Sequence, residues 1–94
     1  AYWVDGEGEL KAVYEEDEEI KVGSKTYALA RSVDFVYKLG TSADPEDYRD
    51  VDDYDADLDG LERFLDDCDE ADDTCMAYLT LSKGEVTRVK VIAK

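Results

Sequence analysis

The sequence predicts a mainly β domain: a small five- or six-stranded open barrel or rolled sheet, with one short α-helix before the closing hairpin. Three observations carry this. Apolar and polar residues alternate over 9–15 and again over 32–39, the period of a half-buried strand. Gly23-Ser24 and Lys83-Gly84 lie between such runs and read as hairpin turns. Leu58, Leu61, Phe64, Leu65 and Cys68 follow helical spacing instead, for about three turns.

The elements come in this order. Residues 1–4 are a short apolar start, an edge strand or the end of a linker, closed by Asp5-Gly6-Glu7-Gly8. In the first alternating run Leu10, Ala12 and Tyr14 share one face, with Lys11 and Val13 on the other. A charged turn, Glu15-Glu16-Asp17-Glu18-Glu19, leads to a strand from Ile20 to Val22. Its hairpin partner runs from Lys25 to Ala30, with Tyr27 and Leu29 on one face. Val33, Phe35, Tyr37 and Leu39 then point inward from a further strand ended by Gly40. An acidic loop from Thr41 to Ala56 carries the only proline, Pro45, and a loop of that length in a small domain is commonly functional. The helix comes next, then a second acidic loop, Asp69 to Thr74. The strands Met76 to Ser82 and Glu85 to Ala93 close the chain, the last favoured by Val86, Thr87, Val89, Val91 and Ile92.

Ninety-four residues make a single β-rich domain, 1–94, with an acidic loop-helix-loop insert over 41–75. The apolar fraction of 44% is that of a folded chain. No apolar run reaches the roughly 18–20 residues that span a membrane. No signal peptide is visible, and the start at Ala1 fits a processed chain, an excised piece or a lost initiator Met.

Charge is sharply segregated. Between Asp44 and Asp73 lie sixteen acids and two bases, a net of −14 out of −15 for the whole chain. Thirteen of the sixteen are Asp, whose short side chain crowds oxygens around a point. Such a segment binds cations, faces a basic protein surface, or repels itself into a solvated loop. The charge sign makes nucleic acid and anionic membrane poor partners, because phosphate contacts need Lys and Arg. A salt-adapted protein would be acidic everywhere, which this chain is not.

The sharpest motif is Asp55-Ala56-Asp57-Leu58-Asp59-Gly60, with Asp66 at the twelfth position. Calcium takes six to eight oxygens at about 2.3–2.6 Å. Asp55, Asp57 and Asp59 occupy loop positions one, three and five, Gly60 takes the sharp turn, and the Leu61 carbonyl supplies position seven. The stretch resembles a dockerin-type calcium loop, in which Asp stands at position twelve. Glu62 and Arg63, at positions eight and nine, depart from that pattern. The competing reading is plain helix capping by Asp57 or Asp59, with the neighbouring acids favoured by the helix dipole. Asp50, Asp52 and Asp53 offer a further cluster for a calcium site of another kind.

Cys68 and Cys75 flank six residues, four of them acidic, between a helix end and a strand start. A disulfide there closes a short loop, contributes about 2.5 kcal/mol, and implies an oxidising compartment. Free thiols are the alternative. Surrounding carboxylates disfavour a thiolate nucleophile, and without histidine or further cysteine there is no structural zinc set. The absent histidine also removes the usual general base, so no catalytic residue is assigned.

Tyr48 and Tyr54 interleave with Asp47, Asp50, Asp52 and Asp53. Either the rings pack locally and pin the loop, or the six residues form an acidic-aromatic surface for a basic partner.

The runs Gly8 to Val13, Ile20 to Leu29 and Val33 to Tyr37, with Asp57 to Leu61, Met76 to Leu81 and Lys83 to Val89, resemble a small β module. That module recurs in extracellular proteins of Gram-positive bacteria carrying S-layer homology anchors. The resemblance implies a structural or adhesive module at the cell surface, without chemistry of its own. The acidic loop after Gly40 and the cysteine-bounded segment depart from it. Expected partners are neighbouring modules or a basic protein surface, with self-assembly through edge strands such as Tyr2 to Val4. The alternative of another class is a small acidic inhibitor, or nucleic-acid mimic, that occupies a basic site on a partner.

Overall fold

The computed structural model describes residues 4–94. It is mainly β, as expected, with strands β1 (Gly6–Tyr14), β2 (Glu19–Val22), β3 (Lys25–Leu39), β4 (Cys75–Ser82) and β5 (Glu85–Ala93). Helix α1 (Leu58–Glu70) precedes the closing hairpin β4–β5. The strands close into a barrel in the order β1-β2-β3-β5-β4, with β4 pairing back onto β1. All neighbours are antiparallel except β3 and β5, which run parallel. The insert between β3 and β4 makes the crossover that a parallel pair requires.

Closure corrects two details of the expected barrel. It is closed rather than open, and the five described strands leave no free edge for a neighbouring module to extend. The expected edge at Tyr2 to Val4 lies largely outside the described residues, and Val4 itself is an exposed apolar side chain.

Both hairpin turns take the expected residues. Val22 pairs with Lys25 across Gly23-Ser24, and Gly23 carries the positive φ of 62° that a type II′ turn places first. Ser82 pairs with Glu85 across Lys83 and Gly84, both at positive φ (54° and 80°), the type I′ pattern.

Bulges produce the departures from simple alternation. In β1, Leu10 pairs with Val22 but Ala12 already pairs with Lys21, so Lys11 is an extra residue. One extra residue reverses the inside-outside phase of the rest of the strand. Leu10 is buried, yet Val13, not Tyr14, packs against the core, and Tyr14 is 40% exposed. A second irregularity centres on Thr87. Its hydroxyl donates to the Thr80 carbonyl (3.2 Å) while Thr80 pairs with Arg88 and Leu81 with Val86. On its other side Leu29 pairs with Val86 and Asp34 with Arg88, so Ala30 to Val33 span a gap that Thr87 alone fills on β5. β3 arches away from β5 there. The two strands expected over 25–30 and 32–39 are therefore one bent strand, joined to β2 at its start and to β5 at its end.

The core runs from the barrel interior (Leu10, Ile20, Leu79, Val86, Val89, Val91) to the inner face of α1 (Leu61, Phe64, Cys68), with each of these residues at most 3% exposed. The helix positions expected to be apolar are the buried ones, except Leu58, which is half-buried. Among the described residues, no helix is long and apolar enough to cross a membrane.

Candidate functional site

The acidic insert is ordered by its own short-range chemistry. The Asp44 carboxylate accepts from the Glu46 N–H (3.0 Å) and Asp50 from the Asp52 N–H (3.2 Å). Each opens a short 3₁₀ turn, Pro45–Asp47 and Val51–Asp53. This is the local side-chain capture that favours Asp at turn starts. The Asp57 carboxylate accepts from the Gly60 N–H (2.8 Å) and caps α1.

Four rings then tie the insert to the barrel. Phe64 of α1 lies within 5.1–5.7 Å, centroid to centroid, of Tyr37, Tyr48 and Tyr54, with the Tyr54 pair edge-on. These are favourable aromatic separations. Each tyrosine hydroxyl has a set partner. Tyr37, on β3, donates to the Asp55 carbonyl (2.6 Å), with the Asp57 carbonyl at 3.4 Å. Tyr48 donates to the Asp73 carboxylate and lies 3.7 Å from Cys68 Sγ. Tyr54 donates to the Asp67 carboxylate and accepts from the Arg49 N–H (3.3 Å). Burial is the main cause that holds all three phenols protonated beyond their usual range, Tyr54 up to about 12. In Tyr48 and Tyr54 the bonds to carboxylates act in the same direction.

This corrects the expected partner surface. Tyr48 and Tyr54 are 9% and 5% exposed, so their rings are anchors and not contact groups. Asp47, Asp50, Asp52 and Asp53 remain exposed.

Of the expected calcium ligands, the structure brings three together. Asp55, Asp57 and Asp59 are exposed, with ligand oxygens within 4.8 Å of one another. Leu61 and Asp66 stand apart from that group, because α1 begins at Leu58. The Leu61 carbonyl thus lies inside a helix, where carbonyls point along the axis to the N–H four residues on. Gly60 does not make a left-handed turn. A Cβ there would stand 1.9 Å from the Asp55 carbonyl oxygen, so the glycine permits the Asp55 backbone to lie against the helix. The Asp55 carbonyl already receives Tyr37, and Asp59 pairs with Arg63 at 3.2 Å. Three exposed carboxylates fall short of the six to eight oxygens of a closed calcium cage.

One member of this patch has no trace in the motif. Glu15, in the β1–β2 turn, lies close to Glu62 of α1. A proton shared with Glu62 first, then desolvation by the neighbouring helix and the charges of Glu62, Asp59 and Asp57, raises the Glu15 carboxyl above its ordinary range. Asp66, further along α1, is raised mainly by burial and then by Glu62, Asp69 and Asp67. Within the insert, Asp59 is the only carboxylate with an ion pair among the described residues.

Beside this patch lies an open groove of about 710 Å³. It sits where β3 arches from β5, with Leu29, Val33, Phe35 and Leu58 contributing apolar surface.

Cys68 and Cys75 lie near each other at the base of α1, both buried. The expected disulfide is not formed and both cysteines are free. The contact lowers the Cys68 thiol and, together with burial, strongly raises Cys75. Shielded from solvent under Phe64 and Tyr48, the pair serves the structure as two small apolar groups.

Comparison of the chain with protein-family models, with curated proteins and with solved structures finds no match.

Proposed function

We propose that this chain is a non-catalytic structural or adhesive module, part of a secreted cell-surface protein or assembly, whose insert presents a fixed acidic face to a basic neighbour. One observation carries the reading: the acids are held in place without being neutralised. The last two turns of α1 carry Asp66, Asp67, Asp69 and Glu70 and no base. Carboxylates at a helix C-terminus oppose the dipole and repel one another. Tyr54 nonetheless holds Asp67 on that face, and a cationic partner would relieve both costs. The resemblance to extracellular β modules supports the surface placement.

The test is binding of a labelled lysine homopolymer across a salt series. A variant with Asp66, Asp69 and Glu70 changed to amides is the comparison. Binding that weakens with salt and with neutralisation supports the reading, and binding indifferent to both sinks it.

The grouping of Asp55, Asp57 and Asp59 favours a second reading, a calcium-stabilised insert. A ligand that binds only the native state stabilises by about 2.7 kcal/mol at a hundred times its Kd. Thermal unfolding in calcium against EDTA, with magnesium and with Asp57→Asn plus Asp59→Asn as controls, decides it. The free thiols favour the rival of another class, a small acidic inhibitor working where cysteines stay reduced. Thiol titration in denaturant, on protein isolated without reductant, separates the two: two thiols per chain point to the inhibitor, none to the surface module.

A further inference from the structure

Resting on the acidic-face reading, we propose that the groove beside the helix start is the docking site for an extended basic segment of a partner protein, anchored by a large apolar side chain. Two independent features select that occupant. The rim carries five carboxylates, from Glu15, Glu18, Asp57, Asp59 and Glu85, against one base, Arg31. They come from the β1–β2 turn, the helix N-terminus and the start of β5, so the charge surrounds the groove on several sides. The same lining has an apolar part, with Phe35, Val33 and Leu58 only half-buried where β3 leaves β5. A polycation alone would satisfy the carboxylates and leave these side chains wet. A lone apolar peptide would cover these side chains and leave the carboxylates uncompensated. A segment with Lys or Arg on either side of a Trp or Leu satisfies both, in the usual arrangement of an apolar anchor with a charged border. The chain's own charge of −15 disfavours a second copy as the occupant.

The test uses two labelled probes of equal charge, a lysine homopolymer and a peptide with lysines flanking Trp-Leu, read by fluorescence anisotropy. Ala56 is exposed and lines the groove, so Ala56→Trp fills it without changing charge. The proposal requires the Trp-Leu peptide to bind more tightly than the homopolymer. It also requires Ala56→Trp to weaken that peptide at least about tenfold, the scale of losing one anchor contact, while leaving the homopolymer unaffected. Glu15→Gln with Glu85→Gln should weaken the peptide more than Asp69→Asn with Glu70→Gln at the far end of α1. Equal binding of both probes, with no effect of Ala56→Trp, overturns the groove while leaving the acidic face standing. Failure of both probes to bind removes both readings. Self-association abolished by Ala56→Trp would give the groove to a second copy and likewise overturn the proposal. Circular dichroism confirms that each variant is folded, and Ala30→Trp, on another wall of the groove, repeats the block should Ala56→Trp unfold the chain.

Discussion

Gly60→Ala should destabilise this protein, against the usual rule for a glycine inside a helix. Replacing a helical glycine by alanine normally gains up to about 1 kcal/mol. Here the new Cβ would stand 1.9 Å from the Asp55 carbonyl oxygen, and also within 2.8 Å of the Asp55 carbonyl carbon and nitrogen. Real Cβ contacts do not fall below 3.0 Å, so the Asp55 backbone must retreat by about 1 Å. That carbonyl accepts the 2.6 Å bond from Tyr37, whose ring lies in the aromatic box. Retreat leaves a buried hydroxyl without its best partner, at about 1–3 kcal/mol. The residual overlap costs a further 1–3 kcal/mol or so. Less the propensity gain, the net loss is about 1–5 kcal/mol, near the middle of which the melting temperature falls by roughly 12–24 °C for a domain this size. Urea unfolding of Gly60→Ala, Tyr37→Phe and the double variant tests the route as well as the size. If the alanine acts through the Tyr37–Asp55 bond, the double variant loses less than the sum of the two. A stabilised Gly60→Ala protein, or strict additivity, would refute the reasoning.

Three further outcomes are expected. Acid should stabilise the fold. The Glu15 and Asp66 carboxyls are raised above their ordinary 4.5 and 3.8, so just above those values the folded chain binds more protons than the unfolded one. Stability therefore rises as pH falls through the raised values, and the urea midpoint at about pH 5 should exceed that at neutrality; Glu15→Gln should shrink the difference. Alkali should do the opposite: Tyr54 is raised from 10.0 to about 12, with Tyr37 and Tyr48 raised further, so stability held below pH 10 is lost above it. Tyrosinate absorbance should then show a late step that coincides with loss of circular dichroism, and an early, structure-independent titration of all tyrosines would contradict this. Asp72→Gly should stabilise by about 0.5–1 kcal/mol in thermal melts, since Asp72 holds the left-handed position (φ 57°) after α1 and adds charge at the wrong helix end. An unchanged or lowered melting temperature would count against that account.

The features legible in the sequence are those that rest on local chemistry. Alternation, the two glycine turns and the spacing of Leu61, Phe64, Leu65 and Cys68 each depend on neighbours within a few residues. So does capping by Asp57, the rival of the calcium loop. The features that stay hidden rest on pairing between distant segments. The extra residue at Lys11 can be seen only against β2, and it alone decides that Val13 packs inward while Tyr14 faces out. The continuity of β3 through Ala30, Arg31 and Ser32 depends on partners changing from β2 to β5. Nothing near Glu15 announces its contact with Glu62. The burial of Tyr48 and Tyr54 is ambiguous in sequence for a related reason, since an aromatic flanked by acids reads alike whether its ring points into Phe64 or toward solvent.

The burial of those rings also changes what the acids mean. A flexible acidic loop would spread its charge and lose ordering entropy on binding any partner. Here the loss is taken at folding. Tyr37 holds the Asp55–Asp57 backbone, Tyr48 and Tyr54 engage Asp73 and Asp67, and Phe64 packs all three rings against the helix. Carboxylates fixed in this way cannot swing apart to lessen their repulsion. A partner meeting the surface encounters charge already in place and owes little ordering cost. Rigid repulsion of this kind is unfavourable to the isolated domain and favourable to a complex, so neutralising the exposed acids should raise the stability of the free chain while weakening its hold on a cationic probe. A surface whose acids served folding alone would show both quantities falling together.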